Sequence, residues 1–290
     1  MKIVVLGASG LLGSVLVPKL ILSGNEVTTI GRSSTSQYQC NVGNIGAISG
    51  ILDAVMPDVI INLIALTDVD YCEQNPNQAF VVNVKTLENV VTWIKKSIYQ
   101  CHLVQFSTDQ VYDSVGPHFE DNVVLSNYYA FSKYAAELVA LRVQSTILRT
   151  NFFGKSNCNK KTSFTDWLYT NISNKEELFL FSDVFFSPLS MTTLSEVVLK
   201  ILEVKPKGIF NLGSRDGLSK SDFASLFAQK LNLEVHNAIV TSIDDATFIK
   251  SYRPKDMRMS VSKIENYLDI IVPTLEEEID KTIGDYKGIV

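Results

Sequence analysis

Short runs of β-branched and other apolar residues alternate along the first two-thirds of the chain with longer stretches of helical period. Lys2–Leu6 reads as a near-continuous apolar strand, followed by a glycine turn and a helical stretch from Leu11 to Leu22. Pro18 lies inside that stretch and should kink or shorten it, because proline offers no N–H to the helix ladder. Gly24 then supplies a stop. Glu26–Ile30 and Val59–Leu63 read as further strands. Pro76–Lys96 is a long helical run with Phe80, Val84, Leu87 and Val91 on one stripe. His102–Phe106 reads as a strand, Tyr128–Leu141 as a helix and Thr146–Leu148 as a strand again. Strands that are apolar on both faces and separated by helices imply a parallel sheet covered on both sides, a doubly wound α/β fold.

After Thr150 the pattern loosens. Ser156–Lys161 is a polar loop, followed by a short helix near Phe164–Tyr169 and a strand near Leu178–Phe181. Thr193–Leu202 and Gly208–Leu212 again look like a helix and a strand. From Ser219 onward the chain reads as mainly helical, with Thr274-Leu275-Glu276-Glu277 as a capping box before the last helix. Residues 1–150 are therefore expected to form the sheet domain, with 191–213 returning to it. Residues 151–290 are expected to supply mainly a smaller α/β substrate lobe.

Charge and cysteine usage narrow the partners. A net charge of −5 argues against nucleic acid, whose binders carry a basic stripe. The short basic spot Lys160-Lys161 reads as a solvated loop. No apolar run is long enough to span a bilayer, so no membrane partner is expected. The chain opens directly into its first strand, without the charged and apolar segments of an export signal. Cys40, Cys72, Cys101 and Cys158 are too widely spaced for a zinc or redox motif, and His102, His118 and His236 are equally scattered. Reduced thiols, a cytoplasmic location and no metal follow as expectations.

Three constellations carry chemistry. Gly7-Ala8-Ser9-Gly10-Leu11-Leu12-Gly13 stands between a strand and a helix. Absent side chains let such a turn approach a pyrophosphate, whose charge sits against the helix N-terminus. This is the Rossmann-type arrangement, although a tight βα turn needs no ligand. Gly7, Ser9, Gly10, Leu11, Leu12 and Gly13 are its cofactor-binding candidates. An NAD site would place a carboxylate at the end of the second strand to hold the ribose 2′-hydroxyl. Here that place reads Ile30-Gly31-Arg32-Ser33-Ser34, and Arg32 can pair with a 2′-phosphate instead. NADPH is thus favoured over NADH. The second constellation is Tyr129 and Lys133, four apart on a helix and so on one face. A phenol beside an ammonium can protonate the alkoxide formed when hydride reaches a ketone. The pattern alone is common on solvated helix faces. The third is Ser107-Thr108-Asp109 at the C-terminal end of a strand, where a hydroxyl can orient a carbonyl or merely cap a turn.

In this order and spacing the three resemble the extended short-chain dehydrogenase/reductases, and more narrowly the dTDP-4-dehydrorhamnose reductases, over essentially the whole chain. The resemblance runs through Gly7–Gly13, Asn62–Asp70, Ser107–Tyr112, Asn127–Lys133, Leu148-Arg149-Thr150, Phe181–Pro188, and Arg253-Pro254 with Arg258. It implies Tyr129 as proton donor, Lys133 as the group that lowers its pKa and holds the nicotinamide ribose, and Thr108 as the substrate-orienting hydroxyl. Ala65 and Thr67 would line cofactor and sugar, with Asn41 near the adenine in place of the family's Asp. Thr67, Thr108, Asp109, Tyr129, Arg253 and Arg258 would meet a nucleoside-diphosphate deoxysugar. Leu125 and Ala130 replace a Pro and a Gly beside the tyrosine. Val184 and Phe186 are bulky for a segment that closes over the sugar, which leaves the sugar itself open.

The activity implied is reduction of a nucleotide-linked 4-keto-6-deoxysugar, and a homodimer is left open. Two rivals stand beside it. A nucleotide-sugar epimerase or dehydratase shares the fold, but Thr108-Asp109 is followed by Gln110, so a dehydratase's carboxylate pair is incomplete. A non-catalytic binding subunit, like the regulatory subunit of methionine adenosyltransferase, also resembles these reductases.

Overall fold

The computed structural model describes residues 1–158 and 161–287; Lys160 of the basic spot lies outside them. The first half runs β1 (Lys2–Leu6), α1 (Leu11–Leu22), β2 (Glu26–Gly31), β3 (Tyr38–Gln39), α2 (Ile45–Val55), β4 (Val59–Asn62), α3 (Val69–Gln74), α4 (Pro76–Phe80), α5 (Thr86–Lys96), β5 (His102–Phe106), α6 (Tyr128–Ala140) and β6 (Ser145–Thr150). The rest continues with β7 (Phe152–Phe153), α7 (Phe164–Ser173), β8 (Leu178–Phe181), β9 (Phe185–Phe186), β10 (Leu189–Ser190), α8 (Met191–Val204), β11 (Gly208–Leu212), β12 (Leu218–Ser219), α9 (Lys220–Lys230), β13 (Ala238–Thr241), α10 (Ser262–Leu268) and α11 (Leu275–Ile283).

Seven parallel strands form the central sheet in the order β11-β6-β5-β4-β1-β2-β3. The chain leaves β1 toward β2 on one side and returns to β4 on the other. Such a reversal opens a crevice at the C-terminal ends of the strands. Side chains alternate across the sheet, so Ile3 and Val5 pack with Leu16 of α1 and Val198 of α8, while Val4 and Leu6 pack with Leu52 of α2 and Leu87 of α5. A third core lies outside the sheet, where Phe153, Phe186, Phe223, Phe227 and Tyr286 meet.

Several elements differ from the sequence reading, each for a physical reason. α1 runs through Pro18 to Leu22, so the proline does not shorten it. Burial of Leu16 and Leu20 contributes roughly 1.5–3 kcal/mol each, enough to offset the roughly 3 kcal/mol that an interior proline costs. The Pro76–Lys96 run is not one helix. A wide π turn, Val81–Lys85, separates α4 from α5; Val84, Leu87 and Val91 stay buried, while Phe80 turns outward. α2 went unread because Gly46 and Gly50 weaken its helical signal; the Asn44 side chain caps it by accepting from Ala47 N. Helices dominate the region after Ser219, as read, but one strand there went unread: β13, with the β-branched pair Ile239-Val240, pairs in parallel with β8. The capping box at Thr274 is present, and another, Ser163 with Asp166, starts α7.

Candidate active site

A cavity of about 460 Å³ opens at the C-terminal ends of β1, β4, β5 and β6. Gly7, Gly10, Leu11, Leu12 and Gly13 line it from the first βα turn, and Ala65 and Thr67 from the segment after β4. Thr108, Asp109 and Gln110 follow β5, Thr150 and Asn151 follow from β6, and Tyr129 and Lys133 enter from α6. The glycine turn is fit for an anion. Gly7 adopts φ +80°, and no side chain caps the first turn of α1, whose N–H groups remain open to an acceptor.

The start of α6 is fixed by Asn127, whose side-chain oxygen accepts from Ala130 N at 2.8 Å while its amide donates to the Tyr252 carbonyl at 3.2 Å. Four residues apart, Tyr129 and Lys133 share the buried face of the helix. Lys133 Nζ donates to the Phe106 carbonyl at 2.6 Å, which seats the ammonium on the end of β5. Burial pulls the Lys133 pKa down to about 8, with the Glu137 charge opposing. Burial also pushes the Tyr129 phenol above its ordinary value; a hydrogen bond with Thr108 works against this and the Asp109 charge adds to it. The resemblance implied a Tyr129 lowered by Lys133. Here the shift runs the other way, and burial is its largest cause.

Thr108 caps the short turn after β5, accepting from Gln110 N at 3.2 Å and donating to Asp109 Oδ1 at 3.3 Å. Asp109 is buried, which raises its pKa to about 6, although Asn151 donates to Oδ2 at 2.8 Å and opposes the shift. Asn83, delivered by the π turn, accepts from Leu66 N at 2.7 Å and donates to Ser132 Oγ at 2.8 Å, tying the Ala65–Thr67 segment to α6.

Not every expected residue lines this cavity. Ser9 is exposed beside it, and Arg32 extends into solvent after β2. The Asn41 side chain folds back to accept from Gly43 N at 3.0 Å. Arg253 pairs with Asp70 at 3.2 Å, and Arg258 clamps Asp256 at 2.6 Å while lying over the Phe185 ring. Val184 and Phe186 are corrected most clearly. Both are buried in the lobe core, and Phe186 lies under the Lys220 ammonium instead of closing over the cavity. In the other direction, Lys161, read as solvated loop, lines the cavity with Thr162. Gln110, Asn151 and Asn83 were also missed. Their only signal was polar character next to strand ends or inside an apolar helix run.

Among the described residues no helix is long and apolar enough to cross a membrane. Comparison with known proteins agrees with the geometry. The chain is 25% identical to a probable low-salt glycan biosynthesis reductase of Haloferax volcanii, over 98% of this chain and 99% of that one. It is 27% identical to a dTDP-4-dehydrorhamnose reductase of Aggregatibacter actinomycetemcomitans, over 93% and 94% of the two chains. A dTDP-4-dehydrorhamnose reductase of Bacillus anthracis, solved in complex with NADP, superimposes with a TM-score of 0.88 at 22% identity, covering 98% of this chain and 99% of that one. A family model for the RmlD substrate binding domain matches residues 1–287, and the chain belongs to that family.

Proposed function

We propose that the protein is an NADPH-dependent reductase acting on the 4-keto group of a 6-deoxysugar carried on a nucleoside diphosphate. The observation that carries this reading is the meeting of Thr108, Tyr129 and Lys133 with the glycine turn in one cavity. The relatives named as dTDP-4-dehydrorhamnose reductases support it, as does the NADP complex of the B. anthracis protein.

NADPH, when bound along Gly7–Gly13, supplies the hydride that reaches the ketone carbon. The residues do the rest. The Tyr129 hydroxyl donates its proton to the ketone oxygen as charge develops there, and the Thr108 hydroxyl orients that oxygen. Lys133, seated on the end of β5, would stabilise the phenolate left behind and would hold the nicotinamide ribose. A phenol kept protonated by burial suits the reducing direction, since the acid is loaded before hydride arrives. The residue after Asp109 is Gln110, an amide that cannot act as a second acid or base, so the dehydratase rival lacks its pair. Arg253 remains partly exposed at the edge of α3 and is the cation offered to the diphosphate, whereas Arg258, held by Asp256, braces the lobe.

The cofactor part has its own test. Arg32 follows β2, its side chain without a partner among the described residues. Arg32→Ala should weaken NADPH by about tenfold, the worth of one charge-assisted contact to phosphate, and leave NADH unchanged. Titration of both cofactors decides; equal affinities in the unaltered protein, unmoved by the substitution, would remove the 2′-phosphate assignment. The sugar part is tested by NADPH oxidation with a dTDP-4-keto-6-deoxyhexose, compared with the free keto-sugar.

A further inference from the structure

Beneath the cavity lie two buried charges that the chemistry above does not use. The side chains of Glu137 on α6 and Arg149 on β6 are 0% and 1% exposed. Arg149 Nε donates to Glu137 Oε1 at 3.0 Å and Nη2 donates to Oε2 at 2.7 Å, a two-pronged pair. Its remaining nitrogen, Nη1, donates to Tyr112 Oη at 2.8 Å and to the Glu120 carbonyl at 2.6 Å. Ser107, which lines the cavity, gives its hydroxyl proton to Glu137 Oε1 at 2.5 Å. A pair this deep is a weak source of net stability, because desolvation of both ions largely cancels their attraction. Its placement is the informative part. Glu137 follows Lys133 by one helical turn and Tyr129 by two, so the three share one stripe of α6.

We propose that Glu137, steadied by Arg149, is a positioning residue for the reduction: it keeps Lys133 charged on the Phe106 carbonyl and engages the Ser107 proton, leaving Thr108 as the hydroxyl that faces the ketone. This rests on the reductase reading above. The groups around Lys133 are Tyr129 and Glu137 from its own helix, the Phe106 carbonyl from β5, Asp109 from the turn that follows, and Arg149 from β6 behind Glu137. Of their charges, that of Glu137 is the one holding the ammonium up against burial. Arg149 in turn holds the Glu137 carboxylate in place through its two-pronged contact, offsetting the cost of burying that charge. Without the pair, burial would bring Lys133 toward neutrality within the working pH range.

The test removes both charges at similar volume, as Glu137→Gln with Arg149→Met, a change buried pairs often tolerate. Three readouts follow: the Lys133 titration from lysine 13Cε NMR shifts, NADPH affinity against pH, and the pH profile of kcat. The Lys133 pKa should fall by about one unit, and the alkaline limb of kcat should move with it. At pH 8 kcat should drop about fivefold, recovering near pH 6, with KM for the sugar little changed. Glu137→Asp, which keeps the charge but withdraws it by one methylene, should fall between the two, and it supplies the same comparison should the double variant fail to fold. A merely structural pair would lower the melting temperature and leave the Lys133 titration and the pH profile unmoved; that result overturns the proposal. The lysine titration needs no substrate, so it decides this question even if the unaltered protein proves inert toward the keto-sugar.

Discussion

Tyr129→Phe is expected to lower kcat about a thousandfold while NADPH binding stays within about twofold. The substitution removes one hydroxyl from a buried helix face and disturbs little else. The helix remains capped by Asn127, and Lys133 stays on the Phe106 carbonyl. What would disappear, on the proposed reading, is the proton that neutralises the developing alkoxide. The loss therefore belongs to the chemical step, and single-turnover oxidation of NADPH should show it without interference from product release. Lys133→Met should differ in kind, lowering both turnover and cofactor affinity, because on the proposed reading one ammonium would serve the phenol and the ribose. Retention of more than a tenth of the single-turnover rate by Tyr129→Phe would mean that the proton comes from elsewhere.

The second large effect concerns the glycine turn, where two substitutions of the same kind should fail in different ways. At Gly13 an added Cβ would lie 2.6 Å from the Ala8 carbonyl carbon, a collision between backbone segments that no side-chain rotation relieves. Gly13→Ala should thus force α1 away from the turn. It should destabilise the fold by about 1–3 kcal/mol, as overpacking does, and weaken NADPH as a consequence. At Gly10 the nearest atom to an added Cβ is the Gly7 carbonyl oxygen at 3.5 Å, an ordinary contact. Gly10→Ala should leave the melting temperature nearly unchanged and still reduce NADPH affinity by about a hundredfold, because its methyl would stand where the pyrophosphate approaches the backbone. Thermal melts alongside cofactor titrations separate the two. Equal losses of stability at both positions would contradict the assignment of Gly10 to ligand approach.

The sheet was legible from the sequence because its strands are buried on both faces and read as unbroken apolar runs, β1 and β5 above all. The Tyr129/Lys133 face was legible because helical spacing is local. What the sequence hid is non-local. Arg253 and Arg258 were expected to face the nucleotide-sugar, and only the folded chain shows Asp70 and Asp256 opposite them. Val184 and Phe186 looked obstructive until the lobe core was seen to absorb them. The π turn that presents Asn83 adds one residue to a helical run, a shift that periodicity cannot register. Burial explains the phenol as well: a local reading of Tyr129 and Lys133 weighs the charge nearby and not the desolvation around both.

The central claim is that this cavity reduces a nucleotide-linked keto-sugar. Its most direct measurement is transfer of deuterium from C4-deuterated NADPH to a dTDP-4-keto-6-deoxyhexose, followed by mass spectrometry and NMR of the product. The account expects one NADPH oxidised per sugar, with deuterium at the former carbonyl carbon. The free keto-sugar should react at least about a hundredfold less efficiently, for want of the remote binding energy that the nucleotide and diphosphate provide. No deuterium in the nucleotide-sugar, or equal efficiency with the unlinked sugar, would contradict it.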